Sequence, residues 1–148
     1  MALKTGSKAP NFKLKGTSGI DFNLKESLPC IIYFYPKDFT PGCTEEACSF
    51  RDGFEELREL DIPVYGISRD SVDSHEKFKL KHQLPFELLS DHSGSVCKAY
   101  DALVPVVRVP KRITYLIDQE QIIKAVYSDM FGAKNHIRKM ISEVHGNK

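Results

Sequence analysis

The chain is short of several things, and each shortage excludes a class of function. No apolar run exceeds Cys30 to Tyr35, far below the ~18 residues that suggest a membrane-spanning helix. Neither charge is in surplus: 21 Lys+Arg face 20 Asp+Glu for a formal net charge of +1 and a pI near 7.7, so the basic footprint of a nucleic-acid binder is missing. Cysteine is scarce at 4 in 148 residues, under the ~8–10% of a disulfide-stapled secreted scaffold. No repeat, low-complexity tract or Pro/Gly/Ser-rich linker divides the chain. Lys4, Lys8, Lys13 and Lys15 lie among polar groups with no apolar stretch behind them, so no secretory signal is visible. The expectations are one domain over residues 1–148, no nucleic-acid or membrane partner, and a cytoplasmic location. At 41% hydrophobic residues a core forms without staples, so each cysteine is to be explained as packing, metal binding or chemistry.

What is present reads as alternating strands and helices. Phe12 and Leu14 alternate with lysines, Gly16 to Gly19 turns the chain, and Ile20 and Phe22 return it, which predicts an amino-terminal hairpin. Cys30 to Tyr35 is continuously apolar between Pro29 and Pro36, as expected of a central strand covered on both faces. Ala47, Phe50, Phe54, Leu57 and Leu60 recur at helical spacing, predicting one helix from Cys43 to Leu60. Strands follow at Pro63 to Ser68 and Phe86 to Leu89, with a helix over Ser74 to Gln83 that carries Phe78 and Leu80, and a short turn over Ser93 to Asp101. Ile113 to Ile117 and Ile122 to Tyr127 form a second hairpin, and Ile137, Met140, Ile141 and Val144 stripe a closing helix. This order implies an α/β fold with a mixed central sheet flanked by helices.

Catalytic groups of open α/β sheets gather where strands end. The loop leaving the most apolar strand is Pro36-Lys37-Asp38-Phe39-Thr40-Pro41-Gly42-Cys43. Cys43 follows a Pro-Gly turn and opens a helix, where unpaired N–H groups and the positive end of the dipole favour thiolate. Position alone leaves two readings open, a reactive thiolate or a small buried hydrophobe.

The spacing of Pro36, Thr40 and Cys43 resembles the active-site signature of the peroxiredoxins. Cys43-Thr44-Glu45-Glu46-Ala47-Cys48 is similar to the second-cysteine arrangement of their bacterioferritin-comigratory, or Q-type, branch. The resemblance extends over Ala9 to Phe12, Tyr33 to Lys37, Phe50 to Asp52, Gly66 to Ser68, Leu89 to Asp91 and Arg112 to Asp118. It implies a thioredoxin-like fold and a thiol peroxidase that reduces hydrogen peroxide and alkyl hydroperoxides. Cys43 would be the peroxidatic sulfur and Cys48 the resolving one, joined as a disulfide in each cycle. Pro36 would shield the sulfur, while Thr40 and Arg112 would bind the peroxide oxygens, with Arg108 as the competitor for the cationic role. It further implies no metal, haem or flavin, and a dithiol such as thioredoxin as reductant. A monomer is expected, with a dimer as the alternative.

Ionisation by itself does not make a peroxidase. Lowering a thiol pKa from about 8.5 to about 6 raises the thiolate fraction at neutral pH roughly tenfold. A Brønsted slope of ~0.4–0.5 removes roughly as much nucleophilicity. Acceleration therefore has to come from donors on the breaking O–O bond. Glu45 and Glu46 are expected to oppose a neighbouring thiolate, another reason for a cation at Cys43. Five residues along an ideal helix put the Cα atoms of Cys43 and Cys48 roughly 8–9 Å apart, beyond the ~7 Å that a disulfide bridges, so resolution requires the first turns to unwind.

A thiol-disulfide oxidoreductase is disfavoured because such motifs place two residues between cysteines; a one-cysteine peroxidase would leave Cys48 inert. A metal module using His92 lacks a second ligand cluster. Cys30 is expected to pack the core, Cys97 to be buried or incidental, His75 and His82 to lie on a solvated lysine-rich face, and Tyr33 and Tyr35 to fill the core and underpin the loop. The stretch from Ala102 to Lys111 is expected to border the mouth of the active site.

Overall fold

In the computed structural model, residues 2–59, 61–129 and 133–146 are described. The elements run β1 (Lys13–Gly16), β2 (Asp21–Asn23), β3 (Cys30–Phe34), α1 (Pro41–Asp52), α2 (Phe54–Glu59), β4 (Val64–Ser68), α3 (Val72–His82), β5 (Glu87–Ser90), α4 (Ser95–Ala99), β6 (Ile113–Ile117), β7 (Ile123–Ser128) and α5 (Ala133–Gly146). The strands form one mixed sheet in the order β2-β1-β5-β4-β3-β6-β7. β4 pairs parallel with β3 and β5, while β6 pairs antiparallel with β3 and β7. The expected amino-terminal hairpin is β1 and β2, joined to the sheet through β5.

The continuous apolar run of β3 has two faces to cover. Cys30, Ile32 and Phe34 point into one core with Phe12, Phe22, Cys97, Tyr100 and Tyr115. Ile31 and Tyr33, with Tyr35 beyond the strand, point into a second core with Cys43, Phe50, Phe78 and Met140, beneath α1, α3 and α5. Successive side chains alternate between the faces of a strand, so a strand between two helix layers has no polar position to offer. No helix of the described residues is long and apolar enough to cross a membrane.

Two expectations fail here. The helix over Cys43 to Leu60 is two helices, α1 and α2, with Gly53 between them and Leu60 outside the described residues. A Cβ at Gly53 would stand 2.5 Å from Ile137 Cδ1, so α5 packs directly onto the break. The second error is on α3. Leu80, one of the two apolar residues this helix was expected to carry, is 81% exposed, whereas His75, read as solvated, is fully buried. The face is set by His75 and Phe78, three residues apart, and the histidine is buried because it has a partner.

Candidate active site

β3 hands the chain through Pro36 to α1, whose N-cap is Thr40 in extended conformation with Pro41 as the first helical residue. The Thr40 carbonyl accepts the first helical bond from Thr44 N–H at 2.8 Å. The N–H groups of Gly42 and Cys43 belong to the first turn and have no acceptor within the helix. They give the sulfur a positive electrostatic setting. Cys43 is 1% exposed, and Arg112, just before β6, reaches it: Nη2 donates to Cys43 Sγ at 3.2 Å, while Nη1 donates to Glu46 Oε1 at 2.7 Å. Cys43 and Glu46 are three residues apart on one face of α1, so one planar guanidinium spans both. A Cβ at Gly42 would come within 3.0 Å of Nη2; the glycine leaves room for the fork.

Arg112 is the cation expected beside the sulfur and its neighbouring acids. Glu46 is fully buried and paired with it, while Glu45 is exposed. Burial pushes the Glu46 carboxyl up to about 8, against the pull of Arg112. Burial also works against the charge on Arg112, but Glu46 and Cys43 together raise its pKa. Behind Glu46, its Oε2 lies 3.4 Å from His136 Nδ1 on α5. The His136 Nε2–H donates to the Asp129 carbonyl at 2.9 Å, which leaves Nδ1 to accept the Thr114 hydroxyl at 2.7 Å. Burial holds the ring down at about 4, so it is neutral at neutral pH.

The loop between β3 and α1 is braced from below. Asp38 accepts Tyr35 O–H at 2.6 Å, Ser74 O–H at 2.9 Å and His75 Nδ1–H at 2.7 Å. His75 Nε2 lies 3.0 Å from the Leu89 carbonyl, and Asp38 N–H donates to Asp70 Oδ2 at 2.9 Å. Asp38, Asp70 and His75 are the one group among the described residues that could hold a metal ion, with ligand atoms within 4.8 Å of one another. Those atoms are already committed to the hydrogen bonds above, so the group works as a brace tying the loop to α3 and β5. Phe39, at φ +66°, is held by the Phe78 ring at 5.1 Å. Thr40 Oγ1–H donates to the Lys37 carbonyl at 2.9 Å, which leaves the oxygen lone pairs as acceptors. Pro36 opens the loop, half-buried.

The other predicted residues divide clearly. Cys48 lies on α1, half-buried, with Sγ 3.9 Å from His82 Nδ1. The two sulfurs of α1 thus face different partners, and all four cysteines are free thiols. Cys30 sits in the core, its thiol pushed up to about 12 by burial. Cys97 is also buried, its thiol pushed far up by burial and Asp91. Arg108 does not reach Cys43; it donates to the Ser93 carbonyl at 3.0 Å. The stretch from Ala102 to Lys111 is a tight loop closed by Lys111 N–H to the Ala102 carbonyl at 2.7 Å, and it leads directly into Arg112. His92 gives its carbonyl to Arg69. Tyr33 stacks on Phe50 at 4.7 Å. The sequence places His75 on the solvent and gives His136 no role; the spacing of His136 to Met140, four residues along one helix face, was the available signal for the second.

The sequence profile of the AhpC/TSA family matches residues 5–126. Peroxiredoxin Bcp of Bacillus subtilis (strain 168) is 44% identical over 128 residues, covering 81% of this chain and 82% of that protein. The chloroplastic peroxiredoxin Q of Oryza sativa subsp. japonica is 40% identical over 138 residues, 91% of this chain and 64% of that one. Among solved structures, the crystal structure of peroxidoxin BcpB from Mycobacterium tuberculosis superposes with a TM-score of 0.94 at 32% identity, covering 99% of each chain.

Proposed function

This chain belongs to the AhpC/TSA family, as a peroxiredoxin of the Bcp and Q kind with the thioredoxin-like α/β fold, and on that premise we propose that Cys43 is its peroxidatic sulfur and Cys48 its resolving one. The protein is a thiol peroxidase, an antioxidant oxidoreductase that takes a peroxide as substrate and a thiol as reductant. What carries the assignment to Cys43 is the hydrogen bond from Arg112 Nη2 to its sulfur at 3.2 Å.

The Cys43 thiolate attacks one oxygen of hydrogen peroxide or an alkyl hydroperoxide. An S–O bond forms, the O–O bond breaks, and the departing oxygen takes a proton to leave as water or alcohol. Charge develops on both oxygens in that step, and a guanidinium already at the sulfur stabilises it without reorganisation. Thr40, its own hydrogen engaged by Lys37, accepts the peroxide hydrogen and orients the pair. Pro36 shields the sulfur from water. The first turns of α1 then unwind, and Cys48 attacks the sulfenic acid: an S–S bond forms, the S–O bond breaks, and water leaves. A dithiol of the thioredoxin class returns both thiols. Since both reacting sulfurs lie on one helix, the cycle closes within a monomer, and a reducing, cytoplasmic compartment suits it.

The test is Cys48→Ser. Under stoichiometric peroxide this variant is expected to complete its first turnover at the parental rate, form no disulfide, and accumulate sulfenic then sulfinic product at Cys43 by intact mass. Sustained turnover with thioredoxin at the parental rate would contradict the resolving role.

A further inference from the structure

We propose that His82 is a further catalytic residue, whose Nδ1 takes the thiol proton of Cys48 as that sulfur attacks the sulfenic acid on Cys43. This rests on the reading of Cys48 as the resolving thiol. The sulfur lies 3.9 Å from Nδ1, within reach of an S–H to nitrogen hydrogen bond. The ring closes α3, set edge-on against Phe78 one turn earlier at 5.1 Å. The same helix that carries the thiol also grips the histidine: Arg51, three residues beyond Cys48, donates Nη1 to the His82 carbonyl at 2.9 Å.

The charged groups around the ring are Lys81 beside it on α3 and Arg51 from α1. With partial burial first and these two cations after it, the ring is held below the ordinary histidine range, although a helix C-terminus by itself favours the imidazolium. His82 therefore offers a lone pair at neutral pH, where a free thiol of pKa about 8.5 is only a few per cent ionised. A base in contact matters most in this range.

The step balances. The Cys48 proton goes to His82 Nδ1, the Cys48 sulfur bonds to the Cys43 sulfur, and the S–O bond breaks. The hydroxide that leaves takes the proton back from the imidazolium as water. Cys48 is oxidised and Cys43 reduced by the same electron pair, so the established peroxide step supplies all the oxidant. The contact also locates the movement: Arg51 and His82 hold the second half of α1, so the turns that unwind are those carrying Cys43, which is delivered to a thiol kept beside its base.

The experiment is a single turnover of the full chain with one equivalent of hydrogen peroxide, quenched by alkylation and followed by mass and peptide mapping from about pH 5.5 to about pH 9.5. The parent is expected to form the Cys43–Cys48 disulfide at a rate that reaches its plateau below neutrality. His82→Ala and His82→Asn are expected to be about tenfold slower near pH 6.5 and to close on the parent as the pH rises. Peroxide consumption in the first turnover stays at the parental rate in both, and added imidazole restores part of the loss in His82→Ala. Parental resolution rates at every pH, or a slowing equal at every pH, overturn the assignment to His82 alone. A parent that forms no Cys43–Cys48 disulfide overturns the resolving role of Cys48 and this assignment with it.

Discussion

Arg112→Ala is expected to slow peroxide attack at Cys43 by about 10²–10³-fold, the range for losing one preorganised donor at a developing oxyanion. The guanidinium is at hydrogen-bond distance from both Cys43 Sγ and Glu46 Oε1. Its loss removes the cation beside the sulfur and, under the proposed mechanism, the charge on which the O–O bond breaks. These effects separate experimentally. Alkylation by a neutral reagent such as iodoacetamide needs the thiolate but no oxygen stabilisation, so it is expected to fall by far less than the peroxide rate. Equal losses would mean that Arg112 only sets ionisation. Arg112→Lys should recover little of the peroxide rate, because a single ammonium cannot reproduce a planar fork that holds two partners. The fold should survive. Glu46, already pushed up to about 8 by burial, becomes neutral when its partner goes, and the remaining cost is that of unsatisfied hydrogen-bonding groups, about 1–3 kcal/mol.

Asp38→Ala is expected to destabilise the protein by about 3–5 kcal/mol, the range for breaking a buried paired network. The carboxylate accepts from Tyr35, Ser74 and His75, of which Tyr35 and His75 are fully buried and have no water to turn to. Removing it strands two buried donors, Tyr35 and His75, along with the half-buried Ser74 hydroxyl, and frees the loop that carries Thr40 and Cys43. Urea unfolding should show the midpoint falling with the slope unchanged, and the peroxide rate should fall with it. A loss under ~1 kcal/mol would show that the Asp38–His75 pair does not brace the loop.

The sequence reveals what is local. Cys30 to Tyr35 reads as a buried strand because every position is apolar, and Cys43 reads as a helix-opening cysteine because Pro41 and Gly42 precede it. Thr40 and Pro36 stand out only through the resemblance of that loop to the peroxiredoxin signature. The rest depends on pairs distant along the chain. Glu46 reads only as an acid that opposes the sulfur, and its burial becomes intelligible once Arg112 meets it from 66 residues away. His75 reads as solvated because lysines surround it, yet Asp38, 37 residues earlier, makes its burial affordable, and Leu80 takes the solvent face instead. The break at Gly53 is invisible because the apolar spacing continues from Phe50 through Phe54 to Leu57; only the approach of Ile137 from α5 shows why the helix ends there.

The most direct measurement is a stoichiometric hydrogen peroxide titration of the parent and of Cys43→Ser, read by thiol counting and intact mass. The parent should lose two thiols and about 2 Da per chain, with the bridge mapped to Cys43 and Cys48. Cys43→Ser should keep its remaining thiols and leave the peroxide unconsumed; consumption at the parental rate would place the chemistry on another sulfur.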